Sequence, residues 1–163
     1  MTDPEEPRAD GRNETFEERL DRNWMELLQE LRVLQTGVQL VAGFLLTLPF
    51  QSRFETLDDY QTGLYLANVT LAALTVALIL LPVSVHRRLF RKRLKATLVL
   101  TADRIAKVAL GGVVLLTVGT SSLVFDIAAG RNAGLIAGGA LLVVLVVLLV
   151  HVPNRLGKQA QKG

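Results

Sequence analysis

Hydrophobic and polar residues are sorted along this chain in blocks, and the blocks predict helices. Residues 1–13 are polar, hold two prolines and a glycine, and show no period, which predicts a disordered acidic tail. From Glu14 the pattern changes. Phe16, Leu20, Trp24, Leu27, Leu31 and Leu34 recur every three or four residues, opposite Glu17, Glu18, Arg19, Asp21, Arg22 and Glu26, and this spacing predicts an amphipathic helix over residues 14–32. Nothing breaks it before the first apolar run, so one rod is expected to continue into a span over residues 33–50, ending near Pro49. Further spans are expected over residues 63–85, with Pro82 near the end, and over 105–125 and 134–152. Residues 153–163 form a basic tail.

The length of these runs separates them from soluble helices, which bury one stripe and wet the other. Residues 108–125 contain no charge, and residues 135–150 contain only Leu, Ile, Val, Ala and Gly. At 1.5 Å per residue, roughly 20 residues cross a hydrocarbon core about 30 Å thick. Each run must be helical, because an unpaired backbone group facing lipid costs several kcal/mol, on the order of far more than valine's preference for strands. The expected fold is therefore all-α: a polytopic membrane protein with a four-transmembrane-helix bundle and a cytoplasmic amphipathic N-terminal helix.

Composition sharpens this. Half of the 163 residues are hydrophobic although 20% are charged, so charge and apolar surface are segregated. The absence of cysteine excludes a disulfide scaffold, a thiolate metal site and a cysteine nucleophile. No positively charged start leads into an early apolar core, so no secretory signal peptide is expected. Lys and Arg set the orientation. Residues 1–32, 86–104 and 153–163 hold five, seven and three of them, whereas the other two connections hold only Arg53 and Arg131. Both termini and the 86–104 connection are thus expected in the cytoplasm of a cell with this protein in its inner or plasma membrane. Residues 1–32 also carry ten acidic residues, a net charge of −5, but acids contribute little to that rule.

The stretch ETFEERLDRNWMELLQELRVLQTGVQLVAGFLLTLPFQSRF, followed by the HRRLF and ADR segments, resembles a bacterial domain-of-unknown-function family of small four-span membrane proteins. The resemblance covers about residues 14–130. It implies a fold and a location; some members carry a loose sodium:proton antiporter label, and no residue roles come with it.

An antiporter needs an ionisable group near the membrane midplane. No span has a carboxylate there: Asp103 and Asp126 sit at the two ends of span three, and Glu55, Asp58 and Asp59 lie in the first outer connection. Span one instead carries a polar seam in which Arg32, Gln35 or Thr36, Gln39, Gly43 and Thr47 share a face. Asn68 and Thr75 in span two, and Lys107, Gly111, Thr117 and Ser121 in span three, are further polar or small positions. Gln35, Gln39, Asn68, Lys107 and Thr117 read either as interhelical glue or as the lining of a pathway through an oligomer. Lys107 lies one helical turn from Asp103, so an ion pair is available to it, and snorkelling to the headgroups explains its position without a substrate.

Arg87, Arg88, Arg91, Lys92, Arg93 and Lys95 place six cations in nine residues beyond span two. Anionic lipid headgroups attract such a segment, and the acidic N-terminal helix is an alternative target on the same side. No nucleic-acid-binding motif accompanies the charge, so nucleic acid is not an expected partner. Gly130, Gly134 and Gly138 stand four apart, a helix-packing ridge whose partner is either span three, through Gly111, Gly112 and Gly119, or a second copy. The Phe16-to-Leu34 stripe would also permit a short helical bundle between protomers. His86 and His151 lie at span ends without further ligands nearby, so neither a metal nor another cofactor is expected. With no phosphate loop, dinucleotide fingerprint or nucleophile motif, the chain is not expected to be an enzyme. Two functions remain: an oligomeric ion or small-solute channel or transport-related protein, and a non-catalytic membrane partner or scaffold acting through its N-terminal helix on a membrane or cytoplasmic protein.

Overall fold

The first helix begins where the sequence supplies a cap. The Glu18 backbone N–H donates to Thr15 Oγ1 at 3.3 Å, and the Thr15 N–H donates to Glu18 Oε2 at 2.8 Å, a reciprocal box that satisfies two otherwise orphaned donors. In the computed structural model, which describes residues 15–89 and 95–155, helix α1 then runs unbroken over Phe16–Thr47. Its 32 residues make one rod about 48 Å long, longer than a membrane is thick, as the uninterrupted pattern predicts. Thr15→Ala is expected to cost about 1 kcal/mol of helix stability, read as lost amide-exchange protection confined to the first turns of α1. Unchanged protection there would show that tertiary packing, not the box, holds this end.

Pro49, which has no N–H, marks the change from α1 to two 3₁₀ turns, Leu48–Phe50 and Ser52–Thr56. A second reciprocal cap starts helix α2, Asp59–Leu89: the Gln61 N–H donates to Asp58 Oδ1 at 2.8 Å and the Asp58 N–H to Gln61 Oε1 at 3.1 Å. Helix α3 spans Lys95–Ala129, and helix α4 spans Arg131–Val146 and continues through a wider π turn, Val147–His151. The valine-rich end is helical, as the lipid constraint requires.

Three boundaries differ from the sequence expectation. α2 passes through the buried Pro82 and continues to Leu89, and α3 begins at Lys95, so most of the expected 86–104 connection belongs to two helices. Lys and Arg are good helix formers, and turns outside the apolar layer simply prolong each span. At the other end, α3 and α4 are joined by Gly130 alone, whose φ of +90° is a conformation L side chains rarely adopt. The connection expected there shrinks to one residue.

Among the described residues, helices α1, α2 and α3 each contact the other two, whereas α4 runs along α3. The buried residues recur at sevens: Leu31, Val38 and Leu45 on α1, Tyr65, Ala72 and Ile79 on α2, and Ala109, Leu116 and Leu123 on α3. A seven-residue repeat is the seam of a left-handed bundle with shallow crossing angles. The outward surface is apolar too; Leu66, Leu74, Leu115, Val143 and Ile136, the last 72% exposed, face away from the protein. In water this would be an aggregation surface, but in lipid it is solvated. All four helices are long and apolar enough to cross a membrane, and the protein is a multi-pass membrane protein.

Candidate functional site: a polar row between α2 and α3 and its charged end

The second buried row of α2 is polar. Gln61, Asn68 and Thr75 stand seven apart, and on antiparallel α3 Asp126, Gly119 and Gly112 stand seven apart opposite them. Asn68 is 3% exposed and Thr75 is buried. Gly112 and Gly119 are small because these side chains occupy their space: a Cβ at Gly112 would lie 2.5 Å from Thr75 Oγ1, and one at Gly119 would overlap the Asn68 carboxamide. Asn68, Thr75 and the neighbouring Thr117 are satisfied within their own helices. Asn68 Nδ2 donates to the Leu64 carbonyl at 2.8 Å, Thr75 Oγ1 to that of Leu71 at 2.7 Å, and Thr117 Oγ1 to that of Val113 at 2.8 Å. Such back-bonding leaves the α2–α3 contact a glycine-spaced one with no side-chain hydrogen bond between Asn68 or Thr75 and α3 among the described residues.

At the end of the row away from the chain termini, charge accumulates. Asp126 is only 4% exposed, and both of its oxygens are engaged: Gln61 Nε2 donates to Oδ1 at 2.7 Å and Arg131 Nε to Oδ2 at 2.7 Å. Arg131 Nη2 also donates to Asp58 Oδ2 at 2.5 Å, and its guanidinium lies 3.8 Å above the Tyr60 ring. One cation thus ties the first turn of α4 to the end of α3 and the start of α2. The planar guanidinium suits this, since it can address two carboxylates and a ring face at once. Phe54 from the second 3₁₀ turn packs edge-on against Tyr65 at 5.0 Å and closes the same end over the core.

The ridge on α4 completes the arrangement. Gly134 and Gly138 are buried against α3, where Ser122 Oγ donates to the Gly134 carbonyl at 2.9 Å. Their partner is span three, but through Ser122, Asp126 and Val118 rather than through glycines. Gly112 and Gly119 face α2 instead, and Gly111 has open space beside it. Gly130, the third member of the spacing, is the turn residue between the helices, with open space where a Cβ would be, so it takes no part in the ridge.

The polar positions of α1 are elsewhere. Gln39, Thr36, Gly43 and Thr47 are exposed on the outside of the bundle and Gln35 is half-buried, while the opposite face of α1 carries Leu31, Val38 and Leu45 inward. Within one chain, therefore, Gln35 and Gln39 do not converge with Asn68 and Thr117. Lys107 is exposed and pairs with Asp103 at 2.6 Å, the ion pair that the four-residue spacing made available. In the basic run, Arg87, Arg88 and Lys95 lie on helical backbone at the ends of α2 and α3, and Arg91, Lys92 and Arg93 fall outside the described residues. His151 is exposed in the π turn. The Leu27, Leu31 and Leu34 part of the N-terminal stripe packs into the chain's own core, so it is not free to form a bundle between protomers.

Sequence reasoning missed the charged end. Its signals were present as the D-x-x-Q cap at Asp58 and Gln61 and as Asp126 and Arg131 flanking a glycine turn, but only the fold brings α2 to them. A family model described as a family of unknown function, DUF6328, matches residues 13–153. No curated protein and no solved structure matches the chain significantly.

Proposed function

The chain belongs to that family of unknown function by a match over most of its length, and we propose that it is a non-catalytic scaffold of the cell membrane, with both termini cytoplasmic, which engages another protein through the extramembrane part of α1. The Lys and Arg asymmetry supports the orientation, and Arg87, Arg88, Arg91, Lys92, Arg93 and Lys95 then meet anionic headgroups of the inner leaflet. What carries the reading is the form of α1. It leaves the apolar layer near Arg32 and continues for 16 residues to Phe16 as a rigid helix. Leu27 and Leu31 tie its apolar side to the core, and Glu18, Asp21, Glu26, which pairs with Arg22 at 3.7 Å, and Glu30 are exposed on the other. A preorganised acidic helix face binds a basic partner without first paying for helix formation. A photo-crosslinker at Met25 or Gln29, both exposed, should capture one stoichiometric protein in cells, and reversing the charge of Glu26 and Glu30 should abolish capture. Capture that survives the reversal, or none at all, contradicts the proposal.

The second reading is transport through an oligomer. The observation favouring it is the outward polar seam of α1, since a lone chain has Leu45, Leu116 and Leu123 where a pathway would have to run. Vesicles reconstituted with the protein should then pass an ion flux that Gln39→Leu removes. Tight vesicles under every gradient would dismiss it.

A further inference from the structure

Most of the lipid-facing surface of this protein is plain hydrocarbon, and one stripe is not. On α1 the exposed residues Gln29, Thr36 and Gly43 recur at sevens, with Gln39 beside them. Gln39 sits two to three residues from the middle of the 33–50 apolar run, about 4 Å from the centre of the layer. Among the described residues nothing hydrogen-bonds its side chain, and acyl chains supply neither donor nor acceptor. Thr36 hides its hydroxyl by donating to the Arg32 carbonyl at 3.0 Å, an option the longer glutamine does not use. Gly43, one turn further on, has open space where a Cβ would be, so the backbone there is approachable.

We infer that this stripe is a pairing surface for α1 of a second copy of the same chain, with the two helices parallel across a two-fold axis. The chemistry selects an identical partner. A carboxamide is self-complementary, each –NH2 donating to the other carbonyl, and a copy inserted the same way presents its Gln39 at the same depth. The geometry agrees, because the outward stripe repeats at the same seven-residue spacing that joins α1, α2 and α3 inside the bundle. That spacing gives a left-handed crossing, and glycine at its closest point lets two backbones meet. Charge limits the contact to the membrane: the apolar-layer part of the stripe is uncharged, whereas Glu26 and Glu30 nearer the start of α1 would face like charges, so the rods diverge there. The scaffold role does not depend on this pairing, nor the pairing on that role.

The chain has no cysteine, which makes the test direct. Thr36→Cys, Gln39→Cys and Gly43→Cys are each exposed positions that the monomer fold tolerates, and Ile136→Cys and Val143→Cys on α4 are equally exposed controls. Oxidation in native membranes should convert the α1 variants to a species of twice 17.8 kDa and leave the α4 variants single. In vesicles, energy transfer between labelled chains should show Gln39→Leu weakening self-association about tenfold. Equal crosslinking on α1 and α4, an adduct of any other mass, or association indifferent to Gln39→Leu would each overturn the pairing.

Discussion

Arg131→Ala is expected to destabilise the protein by about 3 kcal/mol, the cost of leaving a buried ion without its partner. The effect falls on Asp126, whose carboxylate stays buried with only the Gln61 amide to meet it, while Asp58 also loses its cation. Arg131 itself is partly exposed, so the loss sits at the lower end for buried pairs. Arg131→Lys should recover less than half, because an ammonium reaches one carboxylate where the guanidinium reaches two and covers Tyr60 as well. Adding Asp126→Asn to Arg131→Ala should restore much of the stability, since the uncompensated charge is then gone. Reversible unfolding in mixed detergent gives all three values. A loss under about 0.5 kcal/mol for Arg131→Ala, the range of an ordinary surface substitution, would mean that the charged end does not fasten α4.

Gly134→Val is the second large effect, also expected near 3 kcal/mol, at the upper end for inserting atoms into a packed contact. A Cβ at Gly134 would lie 2.7 Å from both the Ser122 carbonyl oxygen and Asp126 Cβ. The first is backbone and cannot rotate away, so α4 must lift from α3, and lifting it also draws Arg131 from Asp126. Gly139, five residues on, has nothing within 4 Å of its would-be Cβ. Gly139→Ala should therefore be neutral or slightly stabilising, because alanine is the better helix former by about 1 kcal/mol. Equal losses at the two glycines would contradict the close α3–α4 contact, since only Gly134 has backbone within reach of its would-be Cβ.

Much of the fold was legible because lipid makes its demands locally. Runs such as 108–125 and 135–150 announce helices by length and lack of charge, and the unbroken pattern before them announces the long α1 rod. The register between helices was not legible. Periodicity shows that Gln35, Gln39 and Gly43 share a face of α1, yet it gives only relative angles. With Leu31, Val38 and Leu45 on the opposite side, either face could have turned inward. The glycines make the same point. Gly134 and Gly138 did signal close packing, but sequence could not choose between Ser122 and the α3 glycines, because Gly112 and Gly119 serve Thr75 and Asn68 on another face. The cluster of Asp58, Gln61, Asp126 and Arg131 joins the start of α2 to residues 65 and 73 positions further on, at the α3–α4 turn, a coincidence no local pattern encodes.

Both the orientation and the scaffold reading depend on which ends of these helices lie in the cytoplasm. Single cysteines at Glu55, in the connection between α1 and α2, and at Arg155, at the end of α4, report it directly in whole cells treated with an impermeant maleimide. Glu55→Cys should label from outside and Arg155→Cys only after lysis. The reverse pattern, or both sites labelling alike in unbroken cells, would contradict a chain that crosses four times with its termini inside.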